Sequence, residues 1–304
     1  MEKLFLHSTT GAKLNLYQNI PLRDPKALIH ITHGLTEHTL RYKWFSERLS
    51  QENFAVFAHD LRGHGFTSSE DSDLGIFSNQ NGFDKLIWDH GFVINHICNK
   101  FPNTPIFCFG HSFGSILNLN YAIRFPTKLN GLACWNSVLE TGLLAYLGKT
   151  IFELEVAFRN TRKPSLLAKH LTFDAWNKKF KPNRTDFDWL SRDQKQVDDY
   201  IADPLCGFSV SLSCWRDIMK SVFFGSKNLN RIPLHLPIFI LGGAEDACTN
   251  IGRDMTDLLD RLVALGHTKV TCKILDGTRH ESLNELKREE AFKLYLNWVN
   301  QALD

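Results

Sequence analysis

Short apolar runs that alternate with longer helical patterns limit the folds open to this 304-residue chain. Four runs of strand length are separated by stretches of helical length, at residues 27–31, 54–58, 105–109 and 129–135. Parallel strands need such helical crossovers, and the helices then cover both faces of the sheet. Two earlier β-rich runs, 4–7 and 13–17, are joined by a turn at Thr9-Thr10-Gly11 and predict a hairpin. The pattern predicts an α/β fold with a mostly parallel central sheet.

The alternation is interrupted after Ser137. From about residue 139 to residue 224 the pattern is mostly helical, with no convincing buried strand. Strand-like runs return at 237–241 and 270–275, and a last helix is predicted over 282–303. We therefore predict one core, formed by residues 1–138 and 225–304, into which a helical cap of residues 139–224 is inserted.

Composition narrows the class of protein. Hydrophobic residues make up 43% of the chain and charged residues 22%, which is the balance of an ordinary globular protein and excludes a disordered one. The formal net charge is only +2. Proteins that bind nucleic acids normally carry an excess of basic residues, so we expect no nucleic-acid partner. Seven cysteines, an odd number, do not form a paired disulfide framework. Residues 1–7 lack the apolar stretch of a signal peptide, so we expect a cytoplasmic protein that can also bind peripherally to membranes.

The run 105–109 is followed directly by Gly110-His111-Ser112-Phe113-Gly114, and then by a helical pattern. A serine hydroxyl is an effective nucleophile only when it is exposed, next to a base and close to donors for an oxyanion. A sharp turn between a strand and a helix exposes the serine, and its crowded backbone favours glycine two residues before and after it. We therefore predict that Ser112 is a nucleophile. The alternative is a glycine-lined turn with an idle serine.

The acid and the base of such a site follow the serine along the chain. Glu245 and Asp246 both come soon after the run 237–241. Asp246 is predicted to be the acid, because the loop must travel a few residues before it turns toward the serine, and Glu245 is the alternative. His280 lies just past the last predicted strand and is predicted to be the base, whereas His267 falls at the end of a helical stretch. Such a base accepts the serine proton while the acid holds its other ring nitrogen.

Two backbone N–H groups are needed to bind the negative charge that develops on the substrate oxygen. One is predicted to belong to Phe113, directly after the nucleophile. The other is predicted to belong to Leu35, in the loop Thr32-His33-Gly34-Leu35 that follows a strand-like run.

Taken together, the motifs resemble those of the α/β-hydrolase family of monoacylglycerol lipases and bacterial lysophospholipases, which is grouped with serine aminopeptidase-like hydrolases. The segments that carry the resemblance are 33–42, with its Glu-His and Arg-Tyr pairs, 60–68, 110–114, 190–193, 203–205 and 277–285. Two departures are Phe113, where the family more usually has Met, and the pair Ala247-Cys248 after the acid. The resemblance covers most of the chain and implies an α/β-hydrolase fold with a helical cap and a Ser–Asp–His triad.

Several histidines raise the question of a metal, namely His33, His38, His59 and His64, with Asp60 nearby in sequence. Their spacings match no compact ligand motif, and the family's loops explain them. We therefore expect no metal and no organic cofactor. Asp60 and Arg62 are predicted to tie loops together beneath the site. Cys248 is interpreted as a buried filler, with an approach to the pocket as the alternative.

The predicted cap is expected to shape the choice of substrate. It contains an apolar helical stretch with Leu143, Leu144, Tyr146, Leu147, Ile151, Phe152, Leu154, Val156 and Phe158. Such a stretch either packs the cap onto the core, or lines an acyl tunnel and makes transient contact with a membrane surface or micelle. The basic residues that follow form a solvated face or favour anionic headgroups; they are Lys163, Lys169, Lys178, Lys179, Lys181 and Arg184.

The residues and the resemblance together predict a serine hydrolase that cleaves single-chain lipid esters, such as a lysophospholipid or a monoacylglycerol, through an acyl-enzyme on Ser112. Two alternatives in the same superfamily are a small-ester carboxylesterase and an aminopeptidase. An aminopeptidase needs carboxylates that hold a free amine, for which Glu140, Glu153 and Glu155 are weak candidates. A third alternative is a non-catalytic ligand-binding protein with the same fold, which has no chemical need for an intact Ser–Asp–His set.

Overall fold

A computed structural model describes residues 1–139 and 142–304. Glu140 lies outside the described residues, as do the side chains of Leu143, Leu144, Leu147 and Ile151 in the apolar stretch. The strands of the described part are β1 (Glu2–His7), β2 (Lys13–Asn19), β3 (Leu28–Thr32), β4 (Ala55–His59), β5 (Ile106–His111), β6 (Gly131–Trp135), β7 (Ile238–Gly243) and β8 (Val270–Leu275). Its helices are α1 (Lys43–Gln51), α2 (Gly82–Lys100), α3 (Phe113–Arg124), α4 (Leu143–Phe158), α5 (Leu166–Lys169), α6 (Ala175–Lys178), α7 (Gln194–Ala202), α8 (Leu212–Lys227), α9 (Arg253–Ala264) and α10 (Arg288–Leu303).

The strands form one sheet in the order β1-β2-β4-β3-β5-β6-β7-β8. The hairpin partners β1 and β2 are antiparallel, as is the pair β2 and β4. All other neighbouring pairs, from β4 to β8, are parallel. The predicted hairpin and mostly parallel sheet are therefore confirmed. The carboxyl ends of the parallel strands meet at one edge of the sheet, where open α/β sheets bind their ligands.

Helices cover both faces of the sheet, because the parallel strands are apolar on each side. On one face, Phe45 of α1 and Phe292, Tyr295 and Trp298 of α10 pack with Phe109 and Trp135 of the strands. On the other face, helices α2, α3, α8 and α9 bury their apolar residues against alternate positions of the same strands. Two apolar layers thus hold the sheet rigid, and the loops at its carboxyl edge are anchored at both ends.

The segment between β6 and β7 is helical in its described part, with α4 to α8 in sequence order. We call residues 139–224 the cap segment. The cap segment contains an apolar cluster of its own. The cluster includes Trp189, Leu190 and Tyr200, and Phe173 and Trp176 pack against it. The division of the chain at residues 138 and 225 stays a prediction.

The last helix differs from the sequence prediction. Ser282–Asn284 form a separate 3₁₀ turn, and α10 begins only at Arg288. Glu285 between them is extended, and its carboxylate accepts the backbone N–H groups of Arg192 and Arg279 at 2.9 and 3.1 Å. A tertiary contact therefore interrupts a helix that the local sequence favours.

Across residues 1–139 and 142–304, no helix combines the length and the apolar character that crossing a bilayer demands.

Candidate active site

Ser112 lies in the sharp turn between β5 and α3, with a positive φ of 52°. This conformation is costly for a residue other than glycine and persists only where the surroundings impose it. The flanking glycines are required by space. A Cβ on Gly114 would lie 2.2 Å from the carbonyl oxygen of Thr32, and one on Gly110 would lie 2.6 Å from the backbone of Gly114. The five-residue pattern is thus explained by close contacts of the backbone.

The loop after β3 lies directly beside this turn. A Cβ on Gly34 would lie 2.7 Å from Oε1 of Glu37 and 3.3 Å from the Cβ of Ser112, so a side chain at this position would displace the Glu37 carboxylate. Leu35 and Phe113 both line the cavity that contains Ser112. Within the described part of the chain, neither of their backbone N–H groups donates a hydrogen bond to another residue. Both predicted oxyanion donors are therefore near the serine and unoccupied by protein acceptors.

His280 and Asp246 are brought together from different loops. The Nδ1 atom of His280 lies 3.0 Å from Oδ2 of Asp246, and both residues are buried. Asp246 also accepts hydrogen bonds from the side chains of Asn136 and Thr249, each at 2.9 Å. Burial by itself would raise the pKa of Asp246, but the facing imidazole and these donors hold that pKa below its usual value. The carboxylate is thus kept ionised and aimed at one ring nitrogen.

Glu245 is placed differently. Its side chain is 43% exposed and lies 4.0 Å from Arg192 and from Arg279. Asp246, and not Glu245, is therefore the hydrogen-bond partner of His280 in the structure. His267, the other histidine weighed above, is buried near the end of α9 and does not line the cavity.

The ring of His280 is packed between aromatic side chains of the cap segment. Its centroid lies 4.9 Å from that of Trp189 and 6.5 Å from that of Trp176. Ser112 and His280 line the same cavity, but their side chains form no hydrogen bond with each other in the structure. In enzymes without a bound substrate, such hydrogen bonds are often long and tighten only in the complex.

A network of buried charges lies next to the turn that carries Ser112. The sequence did not predict this network. Glu37 accepts hydrogen bonds from the backbone of Gly34 at 2.6 Å, from Tyr42 at 2.8 Å and from Nδ1 of His111 at 3.0 Å. Arg41 forms a two-pronged ion pair with Glu281, with one of its hydrogen bonds at 2.6 Å. The family's Glu-His and Arg-Tyr pairs were the only sequence signal for this network.

The network ties the nucleophile turn to the base. His111 precedes Ser112, and its Nε2 lies 2.9 Å from the backbone carbonyl of His280. Burial opposes a charge on His111, yet the hydrogen bond and the charge of Glu37 raise the pKa of His111 above its usual value. The opposite holds for Glu37, whose burial favours the neutral acid while His111 and Arg41 hold its pKa far below normal. Both shifts favour the ionic form of the pair.

The loop with Leu35 is fixed from a second side by His64. The Nε2 atom of His64 accepts the backbone N–H of Thr36 at 3.2 Å, and its Nδ1 lies 2.9 Å from the carbonyl of Arg62. Burial lowers the pKa of His64 to about 3, so this ring stays neutral and can act as an acceptor. Asp60 accepts the backbone N–H groups of Thr39 and Phe66, and ties these loops together as predicted.

The cavity has a volume of about 470 Å³ and a mainly apolar lining. Polar groups are gathered near the turn, where Thr36, Glu37, His111, Tyr200 and Glu281 line it. The apolar wall is formed largely by the cap segment; it includes Phe152, Leu171, Phe173, Ile218, Met219, Val222 and Phe223. A volume in this range is typical of a site for one small molecule.

Cys248 lines this cavity, so it is placed at the pocket and is not a filler remote from it. Asp246, Cys248 and His280 offer ligand-type atoms within 4.8 Å of one another. The carboxylate oxygens of Asp246 and the Nδ1 of His280 are already bonded to each other and to neighbouring donors. Burial raises the pKa of the Cys248 thiol, which keeps it protonated. This group is therefore better suited to proton transfer than to holding a metal.

The comparisons with known proteins agree with this geometry. Residues 23–287 match the family model described as "Serine aminopeptidase, S33". The chain belongs to this family. Rat monoglyceride lipase is 30% identical over 227 residues, which cover 74% of this chain and 67% of the relative. Phospholipase YtpA of Bacillus subtilis is 22% identical over 279 residues, or 91% of this chain and 96% of the relative.

Among solved structures, a thermostable carboxyl esterase from Bacillus coagulans superimposes with a TM-score of 0.90 at 23% identity, and covers 100% of this chain and 99% of its own. This likeness confirms the α/β-hydrolase fold. Membership of the S33 family makes the chain a hydrolase of that superfamily.

Proposed function

We propose that the protein is a serine carboxylic-ester hydrolase that cleaves single-chain lipid esters, with Ser112 as the nucleophile, His280 as the base and Asp246 as the residue that orients the base. The observation that carries the proposal is the Asp246–His280 hydrogen bond, at 3.0 Å, beside a strained serine turn in an apolar cavity. The names of the relatives, a monoglyceride lipase and a phospholipase, support the class of substrate.

In the proposed reaction, Oγ of Ser112 attacks the ester carbonyl carbon while Nε2 of His280 accepts the hydroxyl proton. The oxyanion is bound by the backbone N–H groups of Leu35 and Phe113, which donate to no acceptor in residues 1–139 and 142–304. The protonated His280 then gives its proton to the departing alcohol, leaving an acyl-enzyme on Ser112. Water activated by His280 attacks this ester, the fatty acid leaves, and Ser112 regains its proton. No step requires a metal or an organic cofactor.

The two parts of the lining suggest how a single-chain lipid would lie. The acyl chain would occupy the apolar wall formed by the cap segment, where burying each CH₂ group contributes about 0.8 kcal/mol. The alcohol part, rich in hydroxyl groups, would lie against Thr36, Glu37 and Tyr200. Tyr200 is held there by a 2.8 Å hydrogen bond to the carbonyl of Thr36.

Exposed apolar side chains of the cap segment support its transient contact with a membrane surface or micelle. Tyr146, Leu154, Phe158, Leu166 and Leu171 are all exposed, Phe158 to 85%. Exposed apolar side chains stabilise binding to a lipid surface, from which the substrate would enter. Lysines in the same segment, including Lys149 and Lys169, form ion pairs with neighbouring acids. We therefore propose that the apolar contact dominates over recognition of anionic headgroups.

An aminopeptidase is the second candidate, since the family carries that name. It needs carboxylates free to bind an amine in the cavity. Glu153 and Glu155 pair with Lys149 and Arg159 instead, and neither lines the cavity. Glu37 and Glu281 do line it, but both are engaged by Arg41. The charge balance therefore favours an ester over a free amine.

A fluorophosphonate probe followed by peptide mapping tests the nucleophile. The expected result is one adduct on Ser112 in the folded protein, and none in Ser112→Ala. Ser115, which is buried and donates to the carbonyl of Gly110, serves as the matched control through Ser115→Ala. An adduct on another residue, or full activity of Ser112→Ala, would overturn the assignment.

A substrate panel tests the class of substrate. The panel compares monoacylglycerols, lysophospholipids, short acyl esters and aminoacyl amides at matched concentrations. We expect the highest kcat/KM for the single-chain lipid esters, and a rise in rate above their micelle threshold. A preference for the amides would replace the lipid-ester proposal with the aminopeptidase.

A further inference from the structure

A second group of ligand-type side chains lies inside the core, away from the cavity. His30 of β3 and Cys108 of β5 are direct partners in the parallel register, so their side chains lie side by side on one face of the sheet. His90 of α2 packs on the same face, with its ring centroid 4.8 Å from that of His30. All three residues are fully buried.

Three of the four ring nitrogens of His30 and His90 lack a hydrogen-bond partner in the described part of the chain. Nδ1 of His30 and both ring nitrogens of His90 are buried and unpartnered among the described residues. The other nitrogen of His30, Nε2, lies 3.0 Å from Nδ1 of His59. Buried polar atoms in native proteins are nearly always paired, because losing water without a replacement destabilises the fold. The unpaired nitrogens of His30 and His90 therefore call for an occupant.

The ligand atoms of His30, His90 and Cys108 lie within 4.8 Å of one another. A metal bound at about 2.0–2.3 Å in a trigonal plane holds its ligand atoms about 3.5–3.7 Å apart. The ligand atoms, which lie within 4.8 Å of one another, must therefore move closer by up to about 1 Å to hold a metal.

The side chains offer donor atoms that a metal can bind. A neutral imidazole carries a free lone pair on one ring nitrogen, and a metal that binds the sulfur of Cys108 displaces the thiol proton. His59 then accepts the remaining N–H of His30, as the outer partners of metal-bound histidines do.

We propose that His30, His90 and Cys108 form a structural binding site for a copper(I) ion. Two imidazoles and one thiolate in a trigonal arrangement are a ligand set that copper uses in proteins. One thiolate cancels the single charge of Cu⁺, so the filled site is neutral, whereas Zn²⁺ would leave an uncompensated charge in an apolar core. Structural zinc also takes a fourth ligand, which this group does not offer.

The site ties α2 to the two strands that carry the catalytic loops, since β3 leads to Gly34 and β5 leads to Ser112. It is separate from the proposed reaction and departs from the expectation of no metal. The absence of a metal was predicted from the spacing of His33, His38, His59 and His64, which does not include His30, His90 or Cys108.

The test uses the full chain, unfolded and refolded without oxygen in the presence of equimolar Cu⁺ and a competing Cu⁺ chelator, then desalted. We expect about one copper per chain by mass spectrometry of the metal content, with a rise in Tm over the copper-free protein. X-ray absorption is expected to give one sulfur and two imidazole nitrogens around the ion.

Cys108→Ser and His90→Gln are expected to lower copper uptake at least about tenfold and to abolish the Tm rise. The matched controls are Cys98→Ala, which removes a half-buried thiol of α2, and His267→Gln, which removes a buried histidine outside the group. Both controls should retain the copper. If a variant does not refold, the X-ray absorption of the wild type decides by itself.

Three outcomes would overturn the proposal. They are uptake below a tenth of a copper per chain, equal loss of copper in Cys98→Ala and Cys108→Ser, and a sulfur-only coordination shell. Zinc uptake in a parallel refolding, without copper uptake, would also overturn the assignment to Cu⁺.

Discussion

Two groups of buried histidines, one at the carboxyl edge of the sheet and one deeper in the core, differ in their hydrogen-bond partners. At the carboxyl edge of the sheet, the ring nitrogens of His33, His64 and His111 are all hydrogen-bonded, and Nδ1 of His280 is held by Asp246. Deeper in the sheet, the rings of His30 and His90 leave three nitrogens unpartnered among the described residues. Equal burial thus yields different chemistry, because an imidazole's proton and charge are set by the group it faces.

The edge group also contains a contrast of its own. His64 and His111 are both fully buried, but the pKa of His64 is lowered to about 3 while that of His111 is raised. His64 faces a backbone N–H and a carbonyl, whereas His111 faces the carboxylate of Glu37. Burial alone favours the neutral ring and lowers the histidine pKa. A charged partner inside the protein can raise that pKa instead.

The largest predicted effect concerns the partner of His280. Asp246→Asn should lower kcat for the lipid ester by about 10⁴-fold, because the amide can no longer hold the ring in the required tautomer. Glu245→Gln is the matched control, since its carboxylate is exposed and bonds weakly to arginines. Steady-state kinetics of both variants decide the matter. Equal losses in the two variants would remove the distinction between the two acids.

Glu37 is predicted to carry the next largest effect, on stability. Glu37→Gln removes the buried negative charge that pairs with His111 and Arg41. This loss should destabilise the fold by about 3–5 kcal/mol. Urea denaturation followed by circular dichroism measures this change. The control is Glu47→Gln, on the exposed pair with Lys43, for which we expect less than about 1 kcal/mol. A small effect at Glu37 would mean that the network is not ionic.

The pH dependence of stability should separate His64 from His111. Below pH 6.5 the unfolded state protonates His64 but the folded state does not, so stability falls by up to about 1.4 kcal/mol per pH unit until pH 3 is approached. The contribution of His111 has the opposite sign. It is fully present below pH 6.5 and is lost as the pH rises through the raised folded value.

Denaturation curves of His64→Gln and His111→Gln between pH 5 and pH 8 test this contrast. As the pH falls, the free energy of unfolding of His64→Gln should rise relative to that of the wild type. For His111→Gln it should fall relative to that of the wild type. The same sign in both variants would contradict the assignment of the two charge states.

The smallest predicted effect concerns Leu35. Leu35→Ala keeps the backbone N–H and removes only part of the cavity lining, so kcat/KM should fall by less than about tenfold. Ser112→Ala in the same assay should lose at least about 10³-fold more. A collapse of activity in Leu35→Ala would mean that its side chain, and not its amide, matters.

Much of the site could be predicted because its residues are marked by local sequence. Ser112 stands between a strand and a helix with glycines at fixed offsets, and those glycines are imposed by contacts such as that of Gly114 with Thr32. Asp246 and His280 each follow a strand, and the carboxyl ends of parallel strands meet at one edge. The roles of these residues remain proposals, whereas their proximity follows from the fold.

Other features could not be predicted, because they depend on which distant groups face each other. Nothing near His111 in sequence shows that it faces Glu37, 74 residues earlier, and not a neutral group. The start of α10 at Arg288 was set by the contacts of Glu285 with Arg192 and Arg279.

The sequence by itself determined the order of strands and helices, the strained serine turn and the strand ends after which Asp246 and His280 lie. These follow from periodicity and from backbone sterics, which act over a few residues. Only the tertiary structure showed which groups face the buried histidines, that Asp246 and not Glu245 is hydrogen-bonded to His280, and that His30, His90 and Cys108 meet. Those depend on desolvation and on distances of a few ångströms between segments far apart in the chain, for which local pattern carries no signal.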